Sequence, residues 1–272
     1  MGKLISLCFL TITQARFMNK IEQEISNNLY EFYDQIALSC RIPSEKEDHW
    51  SVIQNTPETW PRIIYRIAPE IVKPESSNLF SEKVTSGTYP EILIAGNENI
   101  QQVDTFLRNK GFFPFAAWKG MAASGSDISV SNLPVDFEVI EPESPEDIEQ
   151  WINIVTSQLI SPARLDKTLV ESLIAQPGME IFVLKHKGVC VSTILLFTTE
   201  TSNGLYLLAT EKSAQRHGFG RLLIHWVSFL AARKSKMPIV LHGTSMGTAM
   251  YSKLGFIPYN QFFLYRSLNI HP

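Results

Sequence analysis

Cysteine is scarce: Cys8, Cys40 and Cys190 are widely spaced, with no C-x-x-C pair. That excludes a disulfide framework and a zinc ribbon, and points to a reducing, cytoplasmic setting. Charge is sparse as well. Asp, Glu, Lys and Arg make up 19% of the chain, below the roughly 25% of an ordinary soluble protein, which excludes a coiled coil and a disordered chain. The 24 Lys and Arg against 27 Asp and Glu leave a net charge of -3. No basic excess is available to neutralise a phosphate backbone, so nucleic acid is not expected as a partner. No apolar run reaches the ~18 residues a membrane span needs. The six histidines show no H-x₃-H or carboxylate clustering, so no metal site is expected.

The first residues carry one lysine and a short apolar run, residues 4–10, followed by a poor cleavage site, which argues against a secretory leader. Gly2 with Ser6 also fits a myristoylation pattern. The plain alternatives are the start of a buried element, or an extension upstream of a start at Met18.

What the chain does contain is a succession of short apolar segments. Ile21, Ile25, Leu29, Phe32 and Ile36 recur at three- and four-residue steps and predict an amphipathic helix over 19–37. β-Branched and aromatic residues at 62–67 predict a strand. The Ser-, Pro- and Thr-rich stretch 73–90 reads as a loop. A short strand follows at 91–96, then a helix with Ile100, Val103, Phe106 and Leu107 stopping at Gly111. Residues 120–134, with two glycines, four serines, Asp127 and Asn132, read as an inter-domain linker.

The second half opens with a strand at 137–140. Ser144, Pro145 and Asp147 then form a capping signal for a helix running through Trp151, Ile152 and Val155. A hairpin at 181–197 turns at His186-Lys187-Gly188, and Ser202-Asn203-Gly204 reads as a second turn, leading into an apolar strand at 205–210. A helix at 221–234, with Trp226 on its core stripe, is followed by a strand at 239–242, a helix ending near Leu254 and a strand at 262–265. This order predicts an α/β or α+β sheet domain. The two halves share an ending: strand 91–96, a helix and Gly111-Phe112 match strand 238–243, a helix and Gly255-Phe256. The match suggests duplication.

Chemistry concentrates in Gln215-Arg216-His217-Gly218-Phe219-Gly220-Arg221. This segment joins an apolar strand to a helix expected to begin just after Gly220. Gly218 and Gly220 let the backbone turn and approach a ligand, while the first helical N–H groups point outward at the positive end of the helix dipole. That combination suits a diphosphate, with Arg216 and Arg221 adding charge. Two familiar phosphate loops do not fit. A nucleoside-triphosphate loop needs Gly-Lys-Ser/Thr where this chain has Gly220-Arg221-Leu222, and the dinucleotide fingerprint needs a glycine where Leu223 stands.

The segment resembles the acetyl-CoA signature of GNAT superfamily N-acetyltransferases, Q/R-x-x-G-x-G/A between a bulged fourth strand and a helix. Gln215, Gly218 and Gly220 match it, and residues 249–256 resemble the family's helix ending in Tyr-x-x-x-Gly-Phe, with Tyr251, Gly255 and Phe256 in place. The resemblance covers about residues 136–267. It implies a GNAT-like mixed sheet flanked by helices, over a catalytic domain at 136–272. A linker at 126–135 and a degenerate GNAT-like copy at 1–125, without the glycine loop, would precede it.

The resemblance further implies that acetyl-CoA is the cosubstrate and a primary amine the acceptor, with no metal. The cofactor would rest on backbone of His217, Gly218, Phe219, Gly220 and Arg221, beside Gln215 and Arg216, with its pantetheine arm along Leu208, Ala209 and Thr210. Tyr251 would protonate the departing thiolate; packing against Phe256 is the plain alternative for that ring. Two positions depart from the family: Thr244 stands where Asn is frequent, and Lys212 where Pro is usual. Glu200, Glu211 and His242 are general-base candidates by strand-end position alone. His242 is otherwise expected to be a satisfied core histidine, and His217 to matter through its N–H rather than its ring. A catalytically silent acyl-CoA-binding or interaction module, and acyl transfer to a hydroxyl, remain alternatives.

Overall fold

The computed structural model describes residues 2–96, 100–125, 128 and 133–268, with side chains from residue 20 onward. In chain order the elements begin with α1 (Gly2–Ser39), β1 (Ser44–Lys46), β2 (Ser51–Ile53), β3 (Ile63–Tyr65), α2 (Pro74–Thr85), β4 (Ile92–Gly96), α3 (Ile100–Asn109) and β5 (Phe112–Ala123). They continue with β6 (Phe137–Ile140), α4 (Pro145–Val155), α5 (Lys167–Ile174), β7 (Met179–His186), β8 (Val189–Thr198), β9 (Asn203–Thr210), α6 (Phe219–Lys234), β10 (Ile239–Gly243), α7 (Ser245–Lys253) and β11 (Ile257–Ser267). The described strands form one sheet in the order β1-β2-β3-β4-β11-β5-β10-β9-β8-β7-β6. It is a mixed sheet with helices against it, the expected fold class.

Three local expectations change. Residues 73–90 contain α2, because Pro74 sits at the first helical position, where its missing N–H costs nothing, and Phe80 supplies a buried anchor. Gly120 and its successors to Ala123 are not linker but the buried end of β5, where Gly120 pairs with His242 on one side and Asn260 on the other. Asn203 and Gly204 belong to β9 rather than to a turn. Of the expected linker, Asp127 and Asn132 lie outside the described residues, as do the side chains of Gly2, Ser6, Cys8 and Met18 in the helical backbone of α1. No helix among the described residues is long and apolar enough to cross a membrane.

The strand order has an internal two-fold relation. β11 lies between β4 and β5, and β5 lies between β11 and β10, so the last strand of each half sits inside the other half's run of strands. The relation centres on the pair Trp118 and Phe262. Two residues further along each strand are Gly120 and Leu264, whose outer partners are His242 on β10 and Ile94 on β4. One residue along, Lys119 faces Gly243 and Phe263 faces Ala95. The structural register therefore matches Gly243 with Ala95, one residue away from the Gly96 that the sequence pattern suggests. One strand further out, Leu93 pairs with Ile64 and Leu241 with Leu205, both parallel. The next residues are Tyr65 then Arg66 (φ 57°) in one half, and Tyr206 then Leu207 (φ 50°) in the other.

α1 lies across this centre. Its stripe Ile21, Ile25, Leu29, Phe32 and Ile36 is buried as expected, contributing about 1.5–3 kcal/mol per large side chain. The helix ends where Arg41 turns to φ 51° and Ile42 N donates to Ala37 O, just before Pro43. Flanking the stripe, Asn28 and Asp34 take the two equivalent tyrosines. Tyr206 Oη donates to Asn28 Oδ1 at 2.7 Å, and Tyr65 Oη donates to Asp34 Oδ1. Asn28 Nδ2 in turn donates to Ser202 Oγ at 2.9 Å, and Phe32 stacks on Tyr206 with centroids 4.0 Å apart.

Asn28 is buried, so Asn28→Ala takes from the Tyr206 hydroxyl its acceptor and from Ser202 Oγ its 2.9 Å donor. Urea denaturation is expected to show a loss of about 2–4 kcal/mol; an unchanged midpoint would mean that α1 is held by its apolar stripe alone.

Candidate active site

The site begins where two parallel strands part. β9 and β10 pair only at Asn203 with Ile239, Gly204 with Val240 and Leu205 with Leu241, and beyond them Tyr206 to Thr210 stay with β8 alone. A bulge marks the parting: between Thr193 and Leu195 the register slips, leaving Leu207 and Leu208 opposite a single β8 residue, with Leu207 in the left-handed region. Glu211 N donates to Val191 O at 2.9 Å, and Ser192 Oγ donates to Ala209 O at 2.7 Å. By strand alternation, Ala209 and Glu211 face β8, and the N–H groups of Leu208 and Thr210 face the opening. Leu208, Ala209 and Thr210 thus form one wall of a wedge, with its paired Leu208 and Thr210 donors turned inward.

The glycine loop lies at the same end of β9. Gln215 Nε2 donates to Thr210 O at 3.1 Å and to Gln158 Oε1 at 3.0 Å, tying the loop to the wedge and to the turn after α4. Arg216 and Gly218 take φ 65° and 82°. Gly218 is the N-cap of α6 and has no side chain to bond the first helical N–H groups, and the first turn holds no acid. Those donors face outward at the positive end of a 16-residue helix, the arrangement that receives an anion. The helix starts at Phe219, earlier than the sequence spacing suggests. Gly220 lies against β9: a Cβ there would meet Thr210 Oγ1 at 3.1 Å. His217 and Phe219 stack on one another, and Phe219 contacts Phe137 and His186. Gly218, Arg216, His217 and Arg221 are exposed.

The equivalent corner of the N-terminal half is chemically closed. After Arg66 the chain passes a short turn, Pro69–Val72, into α2, whose first residues are Pro74 and Glu75. Proline removes an N–H and glutamate places a carboxylate at the positive helix end, so the anion seat is spoiled twice.

Tyr251 lies on α7, on the other flank of β10. Two glycines admit its ring: a Cβ on Gly243 would stand 2.9 Å from Tyr251 Cδ2, and one on Gly247 would stand 2.8 Å from Cε2. The ring also meets Phe256 edge-on at 6.2 Å. Burial pushes the phenol up to about 12, so it keeps its proton throughout the neutral range. Thr244 caps α7 by accepting from Gly247 N at 3.3 Å, the work of a short polar side chain at a helix start.

The three base candidates are separated. Glu200 sits in the β8–β9 turn at the edge opposite the wedge mouth, and Glu211 sits at the end of β9 beside the loop. His242 is on β10 at the parting. The residue is half-buried and not satisfied: its ring nitrogens are shut from solvent and have no partner among the described residues. Trp226 departs from expectation too, lying half-exposed against Phe229 while Ile224 and Ser228 take the buried positions. Burial raises the Cys40 thiol to about 11 and also raises Cys190, so neither is a ready nucleophile. No cluster of potential metal ligands occurs among the described residues. Sequence reasoning missed Gln158, the position of the bulge at Leu207 and the paired tyrosines. Only a repeated Tyr after a β-branched or leucine pair, Ile64-Tyr65 and Leu205-Tyr206, would have signalled the last.

Residues 139–269 match the acetyltransferase (GNAT) domain family, so the C-terminal half is a domain of that family. The fold of the whole chain is that of GNAT proteins. A GCN5-related N-acetyltransferase from Kribbella flavida superposes with a TM-score of 0.64 at 15% identity, covering 85% of this chain and 91% of that one. A relative described in the same words from Sphaerobacter thermophilus gives 0.62 at 12%, covering 80% and 75%. A tandem GNAT protein from the clavulanic acid biosynthesis pathway gives 0.54 at 10%, covering 85% and 86%, and the N-terminal half here is GNAT-like in the same way. No curated protein matches the sequence.

The left-handed Gly218 has no neighbour within 4 Å of an added Cβ, so Gly218→Ala tests backbone strain alone. Its expected cost is about 1–2 kcal/mol, read as a lowered Tm; an unchanged Tm would show that the loop relaxes freely.

Proposed function

We propose that this protein transfers an acetyl group from acetyl-CoA directly to a primary amine. The observation that carries the reading is the coincidence, at the end of β9, of a wedge with two inward N–H groups and an uncapped glycine-started helix. In this reading residues 136–272 are the catalytic unit. Residues 1–125 are a degenerate copy joined through 126–135, stabilising the catalytic unit by placing β5 beside β10.

The residues divide the work as follows. Backbone N–H groups from His217 to Arg221 hold the cofactor's pyrophosphate, with Arg216 and Arg221 at the rim and Gln215 fixing the loop. Leu208 and Thr210 pair with the pantetheine amides as a strand would. The Leu208 N–H also polarises the thioester carbonyl as negative charge develops there. The neutral amine attacks the carbonyl carbon, its C–N bond forms and the C–S bond breaks. Tyr251 gives its proton to the departing thiolate, a role suited to a phenol that burial keeps protonated, and the proton that the amine nitrogen loses on becoming an amide passes to water and restores the phenol. No thiol of the protein takes part.

Two variants test this. Gly220→Glu puts a carboxylate between α6 and the phosphates, and calorimetry with acetyl-CoA is expected to show no binding; unchanged affinity would make the loop purely structural. Tyr251→Phe is expected to keep acetyl-CoA affinity and lose about 10²–10⁴-fold in kcat. Because the phenol titrates near 12, the wild-type kcat should have no falling alkaline limb before about pH 10. Binding of CoA without turnover of any amine would instead establish a silent acyl-CoA-binding module.

A further inference from the structure

A cavity lies at the end of the sheet away from the wedge, where β5 stops and β9 and β10 begin. It has a volume of about 610 Å³ and runs between α1, the β8–β9 turn and the residues that lead into β10, a size that holds a small organic ligand. Both halves of the chain build its walls. Ala122, near the end of β5, pairs with Val240 on one side and Ile257 on the other, and its small side chain keeps the floor low beneath α1. Ile21, Met237 and Ile257 add apolar surface.

Four charged side chains share this cavity without neutralising one another. Glu24, Glu200, Lys20 and Lys236 all line it, yet none of them belongs to an ion pair among the described residues. Lys20 and Glu24 stand one helical turn apart on α1, a spacing that invites pairing, and still stay open. Glu24 is half-buried, with Oε2 shut from solvent and without a partner. A carboxylate partly withdrawn from water with no cation beside it is left uncompensated. The two carboxylates also act together: burial raises the Glu31 carboxyl, two turns further along α1, Arg66 pulls it down, and Asp34, Glu24 and Glu200 add to the rise. Neither cavity lysine is among the charges that act on it. The acidic side of the cavity therefore faces Glu31, and the ammonium groups lie apart from it.

We propose that this cavity binds a small zwitterion of the amino-acid type, its ammonium between Glu24 and Glu200, its carboxylate toward Lys20 and Lys236, and an aliphatic side chain over Ala122 and Met237. Opposite charges that share a cavity unpaired complement a ligand that carries both. A simple cation would meet the lysines, and a simple anion the glutamates. The three residue pairs that join β9 to β10, Asn203 with Ile239 through Leu205 with Leu241, separate this cavity from the wedge. It is an additional site, independent of the acetyltransferase reading.

The test is calorimetry on the full chain with three probes: L-leucine, isoamylamine, which keeps only the ammonium, and 4-methylpentanoate, which keeps only the carboxylate. Leucine is expected to bind saturably in the millimolar range, and each analogue about 10-fold or more weakly, as the loss of one charged contact requires. Glu200→Gln and Lys236→Gln alter exposed side chains, so each should weaken leucine about 10-fold at an unchanged Tm. The absence of saturable heat with leucine overturns the proposal. So does an analogue that binds as tightly as leucine, which would make this a site for a single charge, and so does full leucine affinity in either variant, which would put the binding elsewhere. No acetyl-CoA enters the measurement, so failure of the cofactor reading leaves its outcome intact.

Discussion

The antiparallel pairing of β5 with β11 across Trp118 and Phe262 is the constraint on which the rest depends. Each strand ends one half of the chain and is inserted into the other half's strand order. That exchange merges two strand sets into one sheet and buries Gly120 to Ala123 at its centre. It also makes β10, one wall of the wedge, a strand paired from Ile239 to Gly243 with residues from the first half. α1 depends on the same junction. It crosses the exchanged strands and holds one tyrosine from each half, through Asn28 and Asp34. A glycine at 120 is needed there because Asn260 and Ile25 occupy the space a side chain would fill.

Against this symmetric frame, chemistry arises from a few unsymmetric residues. Both halves turn into a positive-φ residue after their tyrosine, at Arg66 and Leu207. Only one continues into a glycine loop with free N–H groups; the other continues into Pro74 and Glu75, which remove a donor and add the wrong charge. At the first corner an ion pair, Asp34 with Arg66, holds the tyrosine; at the second an uncharged chain, Tyr206 to Asn28 to Ser202, takes its place. The two halves thus share backbone geometry at these corners and differ in the side chains that follow.

Much of this was legible in the residues. The 3.6-residue periodicity of Ile21 to Ile36 marked the core face of α1, and Ser144 with Asp147 marked the start of α4 through a bond the structure contains, Asp147 N to Ser144 Oγ at 3.1 Å. Such features are local, set by neighbours within one or two turns. Where the reading slipped, composition stood in for geometry. Pro, Ser and Thr at 73–90 suggested a loop, yet a proline at a helix's first position and a single buried Phe80 suffice for α2. Small residues from 120 suggested a linker, yet Gly120 is small because Ile25 of α1 and Asn260 press on the strand.

The sequence by itself determined the core face of α1, the start of α4, the glycine loop with its anion-ready helix start, and the family resemblance of the second half. Each depends on contacts within a few residues. Only the tertiary structure decided the strand exchange, the parting of β9 from β10, the matching of His242 with Ile94 and the tie from Gln215 to Gln158. These join positions tens to more than a hundred residues apart, and no periodicity or spacing records such distances. They are fixed by sheet register, which exists only once the whole chain has packed.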